Sequence, residues 1–376
     1  MDSVSPKVLI LYASYGDGHY QASKAIEACL HQVGIHDVLL LDLMAEAHPI
    51  INELTKYVYM QSFTSIPHVY GWVYNTTKEM HPTSPLSILI HSLGIRKLKR
   101  YISTYQPNLI VHTFPQLVMP KIRRQTGIEI PIVNVVTDFD LHGRWIHPDI
   151  DRYYVATEEL RQQIIQKGIP SNRVIASGIP IRTQFNSIPF SVNRFRRTGK
   201  KNVLLMGGAF GVVQGIRKIC DHLLTHTPFE LNVVCGRNKE LYNELNHLFG
   251  THPNIQIHGY VDQISHLMQA SDCIVTKPGG ITLSESMACG LPLFLYRPVP
   301  GQELNNALFL QKKGVAFISH EPRELTSQVM QVLNNNNHLH NINSHMQQLV
   351  KPHAAERIVE DMINHWYLAR ESVSIR

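Results

Sequence analysis

Cysteine is scarce: the 376 residues include five, Cys29, Cys220, Cys235, Cys273 and Cys289. An odd number, widely spaced within apolar-periodic segments, argues against a disulfide framework or a zinc cluster and leaves reduced core thiols. Long hydrophobic runs are missing too, since no stretch reaches the roughly 18 uncharged apolar residues of a membrane-spanning helix. The N-terminus passes from Asp2 into the apolar run 8–13 with no basic segment ahead of it, so no secretory leader and a cytoplasmic location are expected. Glycine (22) and proline (21) are too few for a fibrous or low-complexity chain, and 44% hydrophobic content argues against disorder. Acid is absent from one stretch: between His91 and Arg124 stand Arg96, Lys97, Lys99, Arg100, Lys121, Arg123 and Arg124 with no Asp or Glu. Such a run suits a phosphate or an anionic membrane surface, and no nucleic-acid partner is expected.

What is present is an alternation of short β-rich runs with helix-length amphipathic runs, the pattern of parallel sheets flanked by helices. Strands are predicted at 7–13, 38–43, 109–113, 132–137 and 152–156, then at 202–206, 230–235, 255–258, 272–276, 292–295 and 315–318. The basic, acid-free segment 186–202 reads as a linker. The expected organisation is two facing, open α/β domains with a cleft, 1–193 and 194–352, with 353–376 as a helix packing back on the first domain. Residues 334–343, with four consecutive asparagines followed by His338 and His340, read as a solvated polar loop, because His-x-His alone supplies too few ligands for a metal.

The first strand runs into Ser14-Tyr15-Gly16-Asp17-Gly18-His19 and then a helix-forming stretch. A glycine turn opening a helix exposes backbone N–H groups at a positive dipole end, suited to an anion. Gly16-x-Gly18 with Asp42 could pass for a dinucleotide fingerprint, but Gln21 stands where its third glycine belongs. His19 at the helix start is a candidate proton acceptor, because the dipole disfavours its protonated form; the alternative is a capping or surface histidine. Asp138 ends another strand, where it could order His19 or a substrate hydroxyl, act as a cap, or form a metal pair with Asp140. His142 and Trp145 follow in the same loop.

In the second half, Gly207 and Gly208 open a strand-to-helix turn where backbone can approach a phosphate. Thr276-Lys277-Pro278-Gly279-Gly280-Ile281-Thr282 leads into Ser284-Glu285. The spacing of Thr282 and Glu285 predicts a capping box; the same turn could hold pyrophosphate while Glu285 receives ribose hydroxyls. Gln302 and Glu303, after a rigid Pro-Val-Pro-Gly loop, pair donors and acceptors as adjacent sugar hydroxyls require.

Together, 14–25, 136–148, Gly178-Ile179-Pro180-Ile181-Arg182 and 277–306 resemble the monogalactosyldiacylglycerol synthases and bacterial processive diacylglycerol β-glucosyltransferases of glycosyltransferase family 28. The likeness spans nearly the whole chain, with motifs in the same order. It implies a GT-B fold and inverting transfer of a hexose, glucose by preference, from a UDP-sugar to 1,2-diacylglycerol at the inner membrane face. No cofactor or metal is implied, the UDP-sugar being a substrate. By resemblance His19 is the general base with Gly18 in its loop, Gly207 and Gly208 serve the diphosphate, and Gly259, Tyr260 and Val261 serve uracil. Gly279, Gly280 and Ile281 fall to phosphate, Thr282 beside them to the substrate site, Glu285 to ribose, and Gln302 and Glu303 to the hexose. Tyr20 and Gln21 after His19 depart from the family pattern. Aromatics between Lys56 and Tyr74, Trp72 among them, followed by Arg96, Lys97, Lys99 and Arg100, have the composition of an interfacial segment, or of a packed helical insertion with a solvated basic face. His142 and Trp145 would stand on the acceptor or membrane side. Rival readings are a UDP-N-acetylglucosamine 2-epimerase, a polyprenyl-linked sugar transferase and a silent UDP-sugar sensor.

Overall fold

The computed structural model describes residues 6–14, 17–50, 52–53, 67–78, 94–116, 118–186, 199–207 and 215–366. They divide into two units, one running through Thr183 and resuming at Lys351, the other spanning Gln184–Val350. The first crossing lies ten residues before the expected 193/194 boundary.

Unit 1 carries β1 (Val8–Tyr12), α1 (Asp17–Gln32), β2 (Val38–Asp42), α2 (Leu43–Ala47), α3 (Pro67–Lys78), α4 (Ile95–Tyr105), β3 (Leu109–His112), α5 (Val118–Thr126), β4 (Ile132–Val135), β5 (Arg152–Val155), α6 (Glu158–Gln166) and β6 (Val174–Ala176). Its sheet is wholly parallel in the order β2-β1-β3-β4-β5-β6. β1 reads as one continuous apolar run because helices cover both its faces. α1 turns Ala22, Ala25, Ile26, Cys29 and Leu30 inward at helical spacing.

Unit 2 carries β7 (Asn202–Met206), α7 (Ile216–His226), β8 (Glu230–Val234), α8 (Lys239–Phe249), β9 (Ile255–His258), α9 (Ile264–Ala270), β10 (Cys273–Thr276), α10 (Gly280–Ala288), β11 (Leu293–Tyr296), α11 (Gln302–Lys312), β12 (Ala316–Ser319), α12 (Pro322–Leu333) and α13 (Asn336–Leu349). Its sheet is also parallel, in the order β12-β11-β10-β7-β8-β9.

The last helix, α14 (Ala354–Trp366), belongs to unit 1. Ile358, Val359 and Met362 share one core with Ile26 and Leu30 of α1. Asp361 accepts from Arg152 Nη2 at 2.7 Å and from the Tyr154 hydroxyl at 2.6 Å. Gly178, at φ +91°, lets the chain return here, since a Cβ on it would lie 2.6 Å from that of Lys351.

The eleven predicted strands are present within one or two residues, and all five cysteines are free and buried. Two readings need correction. β6 was missed because a three-residue edge strand is too short to show a period. The asparagine-rich stretch is helix, not loop: Asn335 caps α13 by accepting from the His338 N–H at 3.1 Å, and Leu339, Ile342 and Met346 are buried at helical spacing. Most of the linker segment, residues 187–198, lies outside the described residues.

Candidate active site

In open parallel sheets, ligands sit beyond the carboxyl ends of the strands where strand order reverses. In unit 1 that point lies between β1 and β3, and in unit 2 between β7 and β10.

His19 occupies the first. It stands on the opening turn of α1, directly after β1, and Nδ1 lies 2.7 Å from the Thr113 carbonyl oxygen at the end of β3. A carbonyl can only accept, so Nδ1 carries the proton and Nε2 keeps its lone pair. The Thr137 hydroxyl lies 3.1 Å from the same nitrogen, and the Phe114 ring stands edge-on at 5.1 Å. Ser23 donates to the His19 carbonyl at 2.9 Å and meets the Thr113 hydroxyl at 2.9 Å, fastening the turn to β3. Burial pulls the imidazole pKa below its ordinary value, while Asp138 and the Thr113 carbonyl pull partly back. The ring is therefore neutral near pH 7.

Asp138 is buried and acts on this ring through its charge, while Thr113 and Thr137 hold Nδ1. Neither threonine was legible as a site residue. A backbone carbonyl carries no sequence signature, and only the pairing of β1 with β3 brings it to His19. Gly18 is the second residue of α1; Tyr15, Gly16 and Gly208 lie outside the described residues. Asp42 does not await a ribose: one oxygen accepts from the Ala45 N–H at 3.0 Å as the cap of α2, the other from the Ser14 N–H at 2.9 Å.

Three expectations on the acceptor and membrane side change. Trp145 is only 2% exposed, and its carbonyl accepts from Asn134 at 2.7 Å, so its indole is core and presents no lipid-facing surface. His142 has both ring nitrogens engaged, Nδ1 accepting from the Arg144 N–H at 3.2 Å and Nε2 lying 3.3 Å from the Thr77 hydroxyl. Burial pushes its pKa down to about 4, and it offers no open nitrogen as a reserve base. The basic stretch is acid-free in sequence but not in space. Arg123 meets Asp151 at 2.6 Å, Arg124 meets Asp149 at 2.5 Å and Lys97 meets Glu46 at 3.2 Å, while Lys99 donates to Gln125 at 3.2 Å. Leu98 and Ile102 bury one face of α4, leaving Arg96 and Arg100 exposed. Trp72 on α3 is 69% exposed.

In unit 2, β10 ends at Thr276, and Lys277-Pro278-Gly279 turns into α10. The helix starts three residues earlier than a Thr282 cap would place it. Its cap is Gly279, which has no side-chain oxygen to offer, so the expected capping box does not form. Gly280, Ile281 and Thr282 consequently open the helix with backbone N–H groups that have no intrahelical acceptor. Asn306 fixes this turn by donating from Nδ2 to the Pro278 carbonyl at 3.1 Å, and sequence reasoning missed it. Glu303 is drawn inward, 8% exposed, with Lys277 Nζ at 3.5 Å and the Val299 N–H at 3.4 Å. Gly301, at φ +104°, makes the preceding turn possible, and Gln302 begins α11. Glu285 is buried on α10, 4% exposed.

Gly207 follows β7 at the reversal point, and Gly259-Tyr260-Val261 follows β9 two strands away. At about 4.8 Å per strand, the turn after β10 and the loop after β9 are roughly 14 Å apart, a span suited to an extended nucleotide. Tyr260 is 46% exposed, with the Arg237 guanidinium 4.7 Å from its ring centroid, and Gly259 leaves open space beside it. An aromatic plane at one end and unpaired N–H groups at the other match a base joined to a diphosphate. Among the described residues, no group of three or more His, Cys, Asp or Glu is arranged to hold a metal, and no helix is long and apolar enough to cross a membrane.

Comparison with known proteins agrees with this geometry. Residues 19–181 match the family model of monogalactosyldiacylglycerol (MGDG) synthase, and residues 188–348 that of glycosyl transferases group 1. Among solved structures, Acinetobacter baumannii MurG superposes with TM-score 0.64 at 18% identity, covering 96% of this chain and 100% of that one. The S. aureus MnaA–UDP complex gives 0.60 at 14%, covering 96% of each. At such identities these structures establish the fold, which is GT-B. The processive diacylglycerol beta-glucosyltransferase of Bacillus cytotoxicus is 37% identical over 361 residues, 95% of this chain and 93% of that protein. With near-complete coverage in both directions, the chain belongs to the family of processive diacylglycerol β-glucosyltransferases.

Proposed function

We propose that the chain transfers glucose from UDP-glucose to the primary hydroxyl of 1,2-diacylglycerol, inverting the anomeric centre, and works while bound peripherally to the inner face of the cell membrane. The observation that carries this reading is the neutral imidazole of His19, whose Nδ1–H is committed to the Thr113 carbonyl and whose Nε2 is left basic. His19 Nε2 takes the acceptor hydroxyl proton as that oxygen bonds to the anomeric carbon. The bond from that carbon to the β-phosphate oxygen breaks, and its electron pair leaves with UDP. The charge arriving on the diphosphate is met by the N–H groups of Gly280, Ile281 and Thr282 and by the dipole of α10, so the step requires no metal or cofactor. Glu285 receives the ribose hydroxyls, Gly259, Tyr260 and Val261 the uracil, Gly207 and Gly208 the diphosphate, and Gln302 with Glu303 the hexose.

The name of the Bacillus cytotoxicus relative supports diacylglycerol as acceptor and glucose as the sugar moved, and the nucleotide in the S. aureus neighbour supports a uridine diphosphate donor. The word processive in that relative's name supports a second transfer onto the first glycolipid product. The test incubates the protein with radiolabelled UDP-glucose or UDP-galactose and diacylglycerol, and resolves the lipids by thin-layer chromatography. Label in a β-glucosyl lipid from UDP-glucose is expected. Epimerisation of UDP-N-acetylglucosamine without any labelled lipid would replace this reading with the epimerase one.

A further inference from the structure

Helix α3 is bolted to the loop that follows β4. Lys78 Nζ donates to both oxygens of Asp140, at 2.8 and 3.0 Å, and the Tyr74 hydroxyl donates to Asp140 Oδ2 at 3.0 Å. The Tyr74 ring meets His142 edge-on at 4.7 Å between centroids, and the Thr77 hydroxyl lies 3.3 Å from His142 Nε2. Tyr74, Thr77 and Lys78 are spaced at i, i+3 and i+4, so one face of α3 makes all these contacts. The Lys78 and Asp140 side chains are 27% and 16% exposed, sheltered enough for the bond to be stronger than a surface ion pair.

Trp72 lies about 160° around the helix from Tyr74 at 100° per residue, and it is exposed together with Asn75 and Thr76. An indole standing in solvent on a fastened helix suits the boundary between water and acyl chains, where its ring and its N–H are both satisfied. The loop that holds the other face also carries Asp138, whose charge acts on His19.

We propose that Asp140 is a positioning residue: through Lys78 and Tyr74 it holds α3 so that the Trp72 face engages the lipid surface in register with the loop beside His19. The inference rests on the diacylglycerol reading above and assigns α3 the task of presenting the acceptor. Because donor binding belongs to unit 2, breaking the latch should act on the acceptor alone. Asp140→Asn and Lys78→Met should each raise the apparent KM for diacylglycerol in mixed vesicles about tenfold. The double variant should be no worse than either single one, because both remove the same bond. Saturating kcat and the Kd for UDP should stay within twofold. A merely structural role would lower the active fraction, and so kcat, without moving KM.

A second measurement does not depend on turnover. Fluorescence anisotropy of Trp72, taken as the difference between the wild type and Trp72→Phe, should fall in Asp140→Asn as the helix loosens. Unchanged acceptor KM in both single variants overturns the proposal, as does unchanged anisotropy. If the wild type glucosylates no diacylglycerol, the functional reading fails and acceptor presentation fails with it. A fall in anisotropy would then still establish the latch as a fastening of α3 without that task.

Discussion

The two units place their chemistry at the same topological position and fill it with opposite means. In unit 1 the reversal between β1 and β3 holds the His19 imidazole, the base of the proposed reaction, oriented by the Thr113 carbonyl at the end of the neighbouring strand. In unit 2, beside the reversal between β7 and β10, the described helix start after β10 offers the backbone N–H groups of an uncapped Pro-Gly turn. A base must keep its lone pair, so burial and a single accepting partner serve it. A diphosphate carries its own charge, so backbone dipoles serve it without a titrating group. On the proposed function, two copies of one architecture divide proton transfer from anion binding by a few loop residues.

Removing the base should separate the two tasks most sharply. His19→Ala is expected to lower sugar transfer by about 10²–10⁴ while UDP affinity, measured by calorimetry on the same preparation, stays within twofold. Wild-type turnover in that variant would dissolve the contrast, since no side-chain base would then distinguish unit 1. The pH profile tests the same point. Burial lowers the His19 pKa, so the neutral, active ring should persist as pH falls below the usual histidine range, and the rate should fall only further into acid. Asp138→Asn, which removes the charge that pulls that pKa upward, should move the acid limb to lower pH; an unmoved limb would detach Asp138 from the base.

Next in size is the proposed membrane contact of unit 1. With Lys97 held by Glu46, the exposed Arg96 and Arg100 should carry most of the attraction to anionic vesicles, at up to about 1 kcal/mol each. Arg96→Gln with Arg100→Gln should cut partitioning up to roughly 30-fold at low salt in a sedimentation assay, and Lys97→Gln should change it least. Equal losses from all three would show that the Glu46 pair does not discharge Lys97. In unit 2, Glu285→Ala should weaken UDP binding about tenfold and leave vesicle binding untouched. The smallest effect expected is none: excess EDTA should leave the transfer rate unchanged if backbone N–H groups neutralise the leaving diphosphate, and a rate restored by added Mg²⁺ would overturn that account.

Much of this was legible because it depends on local spacing. Strand and helix periods located eleven of the twelve strands among the described residues, and glycine turns after strands pointed to His19 and to Gly279–Glu285. What escaped depends on chain segments far apart in sequence. The Thr113 carbonyl reaches His19 from 94 residues away, Asn306 reaches Pro278 from 28, and Glu46, Asp149 and Asp151 arrive from other elements to neutralise a stretch that looked uniformly basic. The capping box failed for a local reason: the Pro-Gly turn supplies a permissible helix start before Thr282 is reached. The asparagine run misled because its composition is polar, whereas its apolar residues lie at helical intervals that only matter once Asn335 caps them.

The seating of α14 in unit 1 has a consequence for biosynthesis. The core that encloses Ile26 and Leu30 is closed by Ile358, Val359 and Met362, and Arg152 meets its carboxylate at Asp361. Unit 1, whose strands precede unit 2 in the chain, is therefore completed only after the whole of unit 2 has emerged from the ribosome. Until then it carries an open apolar groove along α1, a period in which a chaperone or a premature stop codon would find it unfinished.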